Sequence, residues 1–544
     1  MDEPDAPATA AGESRIATGP LVAAIAVAAV GGALAATTFR SFDLDRFFLP
    51  KELALQVGAG VAAVVLASRR GPRRWSVADL LLLAWVAMSV ASGIGATSGW
   101  HALRALAITG GGAAMFWAGA ALRAAGRGRH VAVILAVAAT AASASALAQA
   151  YGFDWTVFAT NRAPGGTLGN RNFVAHVAAL AVPLLIWITA TAGGATGIVL
   201  GAAGLLGNTA VLVLSRTRAA WLALAVWLVV AGAVAWRSRD VTRAAVVPRR
   251  GRVVLAALAT GIVLALVIPN TLDWRSDSPY LDSVRGVVNY REGSGAGRLR
   301  QYTNSIKLTR AHPLLGVGPG NWAAEYPAVA SRDDPSLSDA TGMASNPWPS
   351  SDWVAALSER GIPATLALAA LVLVLLMNSW RGWRDSVYSS RDRLAALAGG
   401  SIVLVAACEG MFDAVSLLAF PTVLIWASAG ALIPAGRPVR TSTASARGRT
   451  YIAGAMAVAW LGFAAMTAGK IRAMRLYSTG TLDGVRAAAT YDPGSYRIQL
   501  RAAELLAGRG LCRLAYHNAT QAYALFPHAS APQAILARCA GSTR

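Results

Sequence analysis

The chain has 544 residues, 55% of them hydrophobic and only 14% charged, with a mean hydropathy of +0.48. Soluble domains carry roughly one quarter charged residues, so a water-soluble enzyme of several domains is excluded and a membrane setting is implied. The net charge of +22 is almost entirely arginine, but it lies in short clusters between apolar runs rather than on one face, which argues against a nucleic-acid partner.

Residues 1–19, rich in Ala, Pro, Asp and Glu without apolar periodicity, predict a disordered cytoplasmic N-terminus. A bilayer core of about 30 Å needs about 20 apolar residues per helical crossing. On that scale thirteen spans are expected, at 21–39, 53–68, 77–95, 102–122, 131–150, 172–191, 196–214, 219–236, 253–269, 362–379, 394–412, 416–434 and 451–469. The first is long enough to stay as an anchor, so no cleavable signal is expected. The fold class is therefore all-α, a polytopic membrane helix bundle.

Alternate connections differ in charge. One set, Arg69 to Arg74, Arg123 to Arg129, Arg237 to Arg252, Arg381 to Arg393 and Arg437 to Arg449, holds 21 arginines and few acids. By the positive-inside rule this set is cytoplasmic. The loop 270–361 and the tail after Lys470 then lie outside. The domain organisation expected is a transmembrane unit over 20–435 that includes the loop, a basic cytoplasmic connection over 436–450, a last span at 451–469 and an outer tail over 470–544.

Within the outer loop, Arg298 to Arg310 reads as a helix followed by the breaker run His312-Pro-Leu-Leu-Gly-Val-Gly-Pro-Gly. A loop of this length between spans is uncommon unless it works. In the tail, Tyr491-Asp492-Pro493 recurs as Leu525-Phe526-Pro527, 34 residues on, around two amphipathic stretches, Tyr496 to Leu506 and Cys512 to Leu525. That period is tetratricopeptide-like, and one full period is too short to stand alone. The tail is expected to pack on the outer loop, or alternatively to bind a partner. Cys512 and Cys539, in adjacent helices of one outer segment, are expected to form a disulfide, while Cys408 lies in a span.

No zinc-type His/Cys spacing, P-loop or Gly-x-Ser-x-Gly elbow occurs, so no cofactor and no metal is expected. Arginine on the outer side is the chemical signal. Ser215-Arg216-Thr217-Arg218 sits at the outer junction of spans seven and eight, and Asn170-Arg171-Asn172 opens span six. A guanidinium offers a fixed fork of donors suited to phosphate oxygens, and charge at membrane depth marks ligand sites. The competing reading is snorkelling to lipid headgroups.

The chain resembles the O-antigen ligase and polymerase family in Gly166-Thr-Leu-Gly-Asn-Arg-Asn172, Ser215-Arg-Thr-Arg-Ala-Ala-Trp221, Gly297-Arg298, His312-Pro-Leu-Leu-Gly-Val-Gly-Pro-Gly-Asn321, Asp352-Trp353 and Glu359-Arg360-Gly361. Pro50-Lys51-Glu52 is similar as well. The resemblance implies a bacterial inner-membrane glycosyltransferase. Such enzymes move a glycan from undecaprenyl diphosphate to a hydroxyl of lipid A core, of another glycan or of protein, at the periplasmic face and without nucleotide sugar or metal. It implies diphosphate binding by Arg218, with Arg216 beside it, and by Arg298, and Arg171 is a further candidate. Where the family carries a His-Asn pair before the glutamate matched by Glu359, this chain has Ser350 and Ser351. Asp352 and His312 are the remaining candidates for orienting or deprotonating the acceptor. Glu359 is expected as a helix N-terminal carboxylate, and Glu409 and Asp413 as partners of the outer arginines. The alternatives are a transporter or flippase using Glu409 and Asp413, and an inactive scaffold.

Overall fold

The computed structural model describes residues 17–245, 247–274, 276–286, 293–338 and 343–540. The helices before the large loop are α1 (Thr18–Leu34), α2 (Asp45–Ser68), α3 (Val77–Ile94), α4 (Gly99–Ala124), α5 (Gly128–Ala150), α6 (Arg171–Ala190), α7 (Ala195–Ser215), α8 (Arg218–Arg237), the short α9 (Arg239–Ala245) and α10 (Pro248–Val267). The loop carries α11 (Pro279–Arg285), α12 (Gly293–Ala311) and α13 (Trp322–Glu325). Then come α14 (Asp352–Arg384), α15 (Ser390–Glu409), α16 (Ala419–Leu432) and α17 (Ala446–Tyr477), followed by the tail helices α18 (Leu482–Tyr491), α19 (Tyr496–Gly508), α20 (Cys512–Leu525) and α21 (Ser530–Cys539).

Each expected span falls on its own helix. Among the described residues ten helices are long and apolar enough to cross a membrane, whereas α1 and α16 are shorter and α15 carries Arg391, Asp392, Arg393 and Glu409. Of these three, α16 is buried along nearly its whole length, while α1 exposes Val27 and Val30. The converse holds for α8, α10 and α17, which present Val229, Leu255 and Val458 outward, as side chains bathed in lipid tails require. Small residues let backbones close up. A Cβ at Gly430 of α16 or at Gly119 of α4 would collide with the facing backbone.

The connections sort into two ends. At the arginine-rich end a two-stranded antiparallel ribbon, β1 (Arg73–Ser76) with β2 (Pro438–Ser442), ties the α2–α3 link to the α16–α17 link. At the other end the Ser98 amide donates to Asn321 Oδ1 at 2.7 Å, and the Thr271 amide donates to the Ala150 carbonyl at 2.9 Å. The large loop therefore covers the end away from the arginine-rich links.

The breaker run has a structural task. The amides of Val317 and Gly318 donate to the carbonyls of Ser358 and Glu359 at 3.0 and 2.9 Å, and the Ile362 amide donates to the Pro313 carbonyl at 2.8 Å. The run is thus inserted into α14, which is broken at Gly361 (φ 82°, ψ 175°). A side chain at Gly361 would meet the backbone of Leu314. This arrangement corrects one expectation. Because α14 starts two turns earlier, at Asp352, Glu359 is not an N-terminal carboxylate but a buried group at the break, paired with Arg360 at 3.2 Å.

The tail is a run of antiparallel helices in which Pro493 and Pro527 each precede a helix, α19 and α21. Cys512 and Cys539 are bonded across it with Cα atoms 5.1 Å apart. It seats on the N-terminal ends of α2 and α4, on the side of the large loop. The Arg497 guanidinium donates to the Ser41 carbonyl, and the Phe526 ring meets His101 edge-on at 5.5 Å.

Candidate functional site

At the end that carries the large loop, α7 and α8 are separated by two residues, so the sequence Ser215-Arg216-Thr217-Arg218 makes a tight corner. Arg216 adopts φ 55°, ψ 30° there, a left-handed conformation that side chains other than Gly, Asn and Asp rarely take. Its guanidinium donates to Ser283 Oγ at 2.9 Å and stacks over Trp274 at 4.6 Å. Arg171 stacks over the same indole at 5.3 Å. Burial and the neighbouring Arg171 both push the Arg216 pKa below its ordinary value. Arg218, the first residue of α8, donates to the Gly286 carbonyl. The corner therefore holds three guanidinium groups, supported by residues of the large loop.

The fourth candidate reaches the same place from α12. Arg298 lies 3.6 Å from Asp413 Oδ2, and the same oxygen accepts from Asn172 Nδ2 at 3.1 Å. Asn172 in turn accepts from Thr217 Oγ1 at 3.3 Å, so a continuous polar path joins Arg298 to the Arg216–Arg218 corner. Residues more than a hundred positions apart in sequence are brought together by the outer ends of α6, α8 and α12.

Sequence reasoning missed the residue beneath them. His176 is fully buried on α6, one turn below Asn172. Its Nδ1 lies 3.2 Å from Glu409 Oε1 and its Nε2 3.4 Å from Asp413 Oδ2. Both ring nitrogens can donate only in the imidazolium form. Burial raises the pKa of Asp413, but the hydrogen bond and charge of His176 and the charge of Arg298 outweigh it and hold the carboxyl below its ordinary range. The signal available was the i, i+4 spacing of Asn172 and His176, which share a helix face. Asp413 is thus an arginine partner as expected, whereas Glu409 pairs with His176.

Asp352 sits where its chemistry is already engaged. It is 9% exposed; its Oδ1 accepts from the Val415 amide at 3.0 Å and its Oδ2 from the Ser416 amide at 2.8 Å. The Ser351 side chain caps α14 and donates to the Gly410 carbonyl at 2.8 Å. Asp352 and Ser351 together moor the α15–α16 link to the start of α14, so the geometry gives Asp352 an anchoring role and weakens the case for it as a base. Ser350 is held from α12: its amide donates to Gln301 Oε1 at 2.6 Å and its carbonyl accepts from Tyr302 at 2.7 Å. His312 is exposed at the end of α12, on the turn that docks into the α14 break.

Behind the α15–α16 link opens a cavity of about 410 Å³ lined by α2, α4, the 343–348 segment, the link and the tail. Glu52 of the Pro50-Lys51-Glu52 motif lies on its wall and is gripped by Arg104, which donates to both its oxygens at 2.8–3.1 Å and to Asp45 at 2.8 Å.

The structure is thus a polytopic membrane helix bundle with four arginines gathered at one end. The O-antigen ligase family model matches residues 202–369, the stretch that contributes the α7–α8 corner, α12, the breaker run and the α14 break. The match over this segment agrees with the resemblance to that family. A search of curated proteins finds no match. The family supports a glycan-transfer role in envelope polysaccharide synthesis.

Proposed function

We propose that the protein transfers a glycan from an undecaprenyl-diphosphate carrier to a hydroxyl acceptor at the periplasmic face of a bacterial inner membrane, with its N-terminus cytoplasmic and the large loop and tail outside. The convergence of Arg298 with Arg216 and Arg218 at one corner carries this reading. Departure of the diphosphate builds negative charge, and preorganised guanidinium groups in a site shielded from water stabilise it without reorganising. Arg171 and Arg216, both over the Trp274 ring, extend the same field. The acceptor is a hydroxyl of lipid A core, of a glycan or of protein.

With Ser350 in the position of the family histidine and Asp352 engaged by backbone amides, the chemistry rests mainly on leaving-group stabilisation. The acceptor proton then passes to a phosphate oxygen of the carrier. The test is transfer by the purified protein from a lipid-linked glycan. The Arg218→Lys and Arg298→Lys variants should each lose at least tenfold in rate, because a point charge does not reproduce a bidentate fork. Full activity in both, at normal protein levels, refutes the assignment.

A further inference from the structure

The cavity behind the α15–α16 link holds two buried cations whose donors are not used up. Lys51 is 4% exposed, and its Nζ donates to the Ala35 carbonyl at 2.6 Å. Among the described residues no carboxylate lies within ion-pair distance of it. Arg360 is 2% exposed and its Nε has no hydrogen-bond partner among the described residues, although Nη1 pairs with Glu359. The other cations of the inner wall each have a carboxylate, Arg104 with Asp45 and Glu52, Arg162 with Asp43 at 2.9 Å and Arg360 with Glu359, with a further Arg360 donor on Thr109 at 3.4 Å, so Lys51 is the one left without a counter-ion among the described residues of this wall. A buried cation without full pairing is costly unless an anion arrives.

The same cavity has an aromatic side. Trp348 meets Phe48 at 5.4 Å and Phe48 meets Phe173 at 5.5 Å, while the tail adds Phe526 and, at the rim, Arg497 stacked on Phe42 at 5.7 Å. Its volume lies in the range of small-ligand sites, and apolar faces with a few fixed charges suit sugar rings bearing an acid group.

We propose that this cavity is the acceptor site, that it takes a saccharide carrying a phosphate or carboxylate, and that the tail is part of its wall. The proposal rests on the transferase reading above. The two sites adjoin. Phe173 lines the cavity while its neighbour Asn172 holds Asp413, and Ser416 lines it while its amide holds Asp352. The cavity therefore borders the residues assigned to the carrier at the start of α6 and at the link. This assigns the tail a task in acceptor recognition.

The test measures binding to the full chain in detergent, with no turnover required. The probes are a trisaccharide carrying one phosphate and its unphosphorylated counterpart, each free and on a dodecyl aglycone. The phosphorylated probe should bind about tenfold more tightly. That preference should shrink in Lys51→Gln and in Arg497→Gln, the second an exposed residue at the rim. Trp348→Ala should weaken both probes alike. Equal affinity for the two sugars, or an unchanged preference in Arg497→Gln, overturns the site. A gain from the dodecyl chain supports the site and assigns a lipid-borne acceptor; no gain supports it and assigns a polysaccharide end. Transfer activity without acid preference refutes the acceptor site alone, whereas acid-selective binding with no transfer refutes the transferase reading and leaves the site standing.

Discussion

Replacing Asp352 by Asn separates anchoring from base catalysis, provided stability and rate are read together. In the native chain both carboxylate oxygens accept backbone amides, from Val415 at 3.0 Å and Ser416 at 2.8 Å. Asparagine keeps one acceptor oxygen and points an NH2 at the other donor. One hydrogen bond to a charged acceptor is lost, worth about 1.5–3 kcal/mol, and one buried N–H is left unpaired at a further cost. The expected loss is about 2–4 kcal/mol, confined to the α15–α16 link. Because that link also carries Asp413, the Arg298 contact at 3.6 Å should loosen with it. A thermal unfolding scan in detergent should show a lowered midpoint, and Asp352→Ala, which leaves both amides unpaired, should show a larger drop. Transfer should fall in step with stability in the two variants. A midpoint equal to that of the parent, with transfer lost in Asp352→Asn, would refute the anchoring account and return Asp352 to the role of base.

Other expectations concern topology, the tail and the loop docking. Reporter fusions at Ser283 and Ser530 should both give an outside signal, and a cytoplasmic signal at Ser530 would remove the last crossing and the tail's place at the outer end. Thiol labelling of the denatured, non-reduced protein should modify Cys408 and spare Cys512 and Cys539; reduction should destabilise the tail by roughly 3.5 kcal/mol from the size of the closed loop, and labelling of all three before reduction would reject the bond. Gly361→Ala should cost about 1–3 kcal/mol for the φ/ψ alone, with more from the clash against Leu314, and should lower the yield of folded protein; parent-like yield and melting would show that the breaker run does not need its seat in α14.

How far the sequence could be read follows from which forces act locally. Helices were legible because each depends on a contiguous apolar run: all thirteen runs fall on helices, ten of which are long and apolar enough to cross a membrane among the described residues. The ends were less so. The charged start of α2, Asp45 to Glu52, reads as a loop until Arg104 of α4 supplies the partner that lets Glu52 be buried. Likewise α14 begins well before its apolar run because Ser351 and Asp352 are satisfied by the α15–α16 link.

The site divides along the same line. Arginines on the outer side could be found from their place against the rule for charge, and the structure brings Arg216, Arg218 and Arg298 into one polar path. What they stand on could not be found, because His176 is a lone histidine in an apolar span and only the fold puts Glu409 and Asp413 against its two nitrogens. Arg216 shows the limit most clearly. The resemblance places it only beside Arg218, yet it holds a left-handed backbone that glycine would take at lower cost. Strain of that kind persists where the side chain is needed, here for the stack on Trp274 and the bond to Ser283. Arg216→Gly should therefore relax the corner while weakening binding of the carrier diphosphate. If the glycine variant instead binds an undecaprenyl-diphosphate probe as tightly as the parent, the conformation is a by-product of the short α7–α8 turn and Arg216 takes no part in the site.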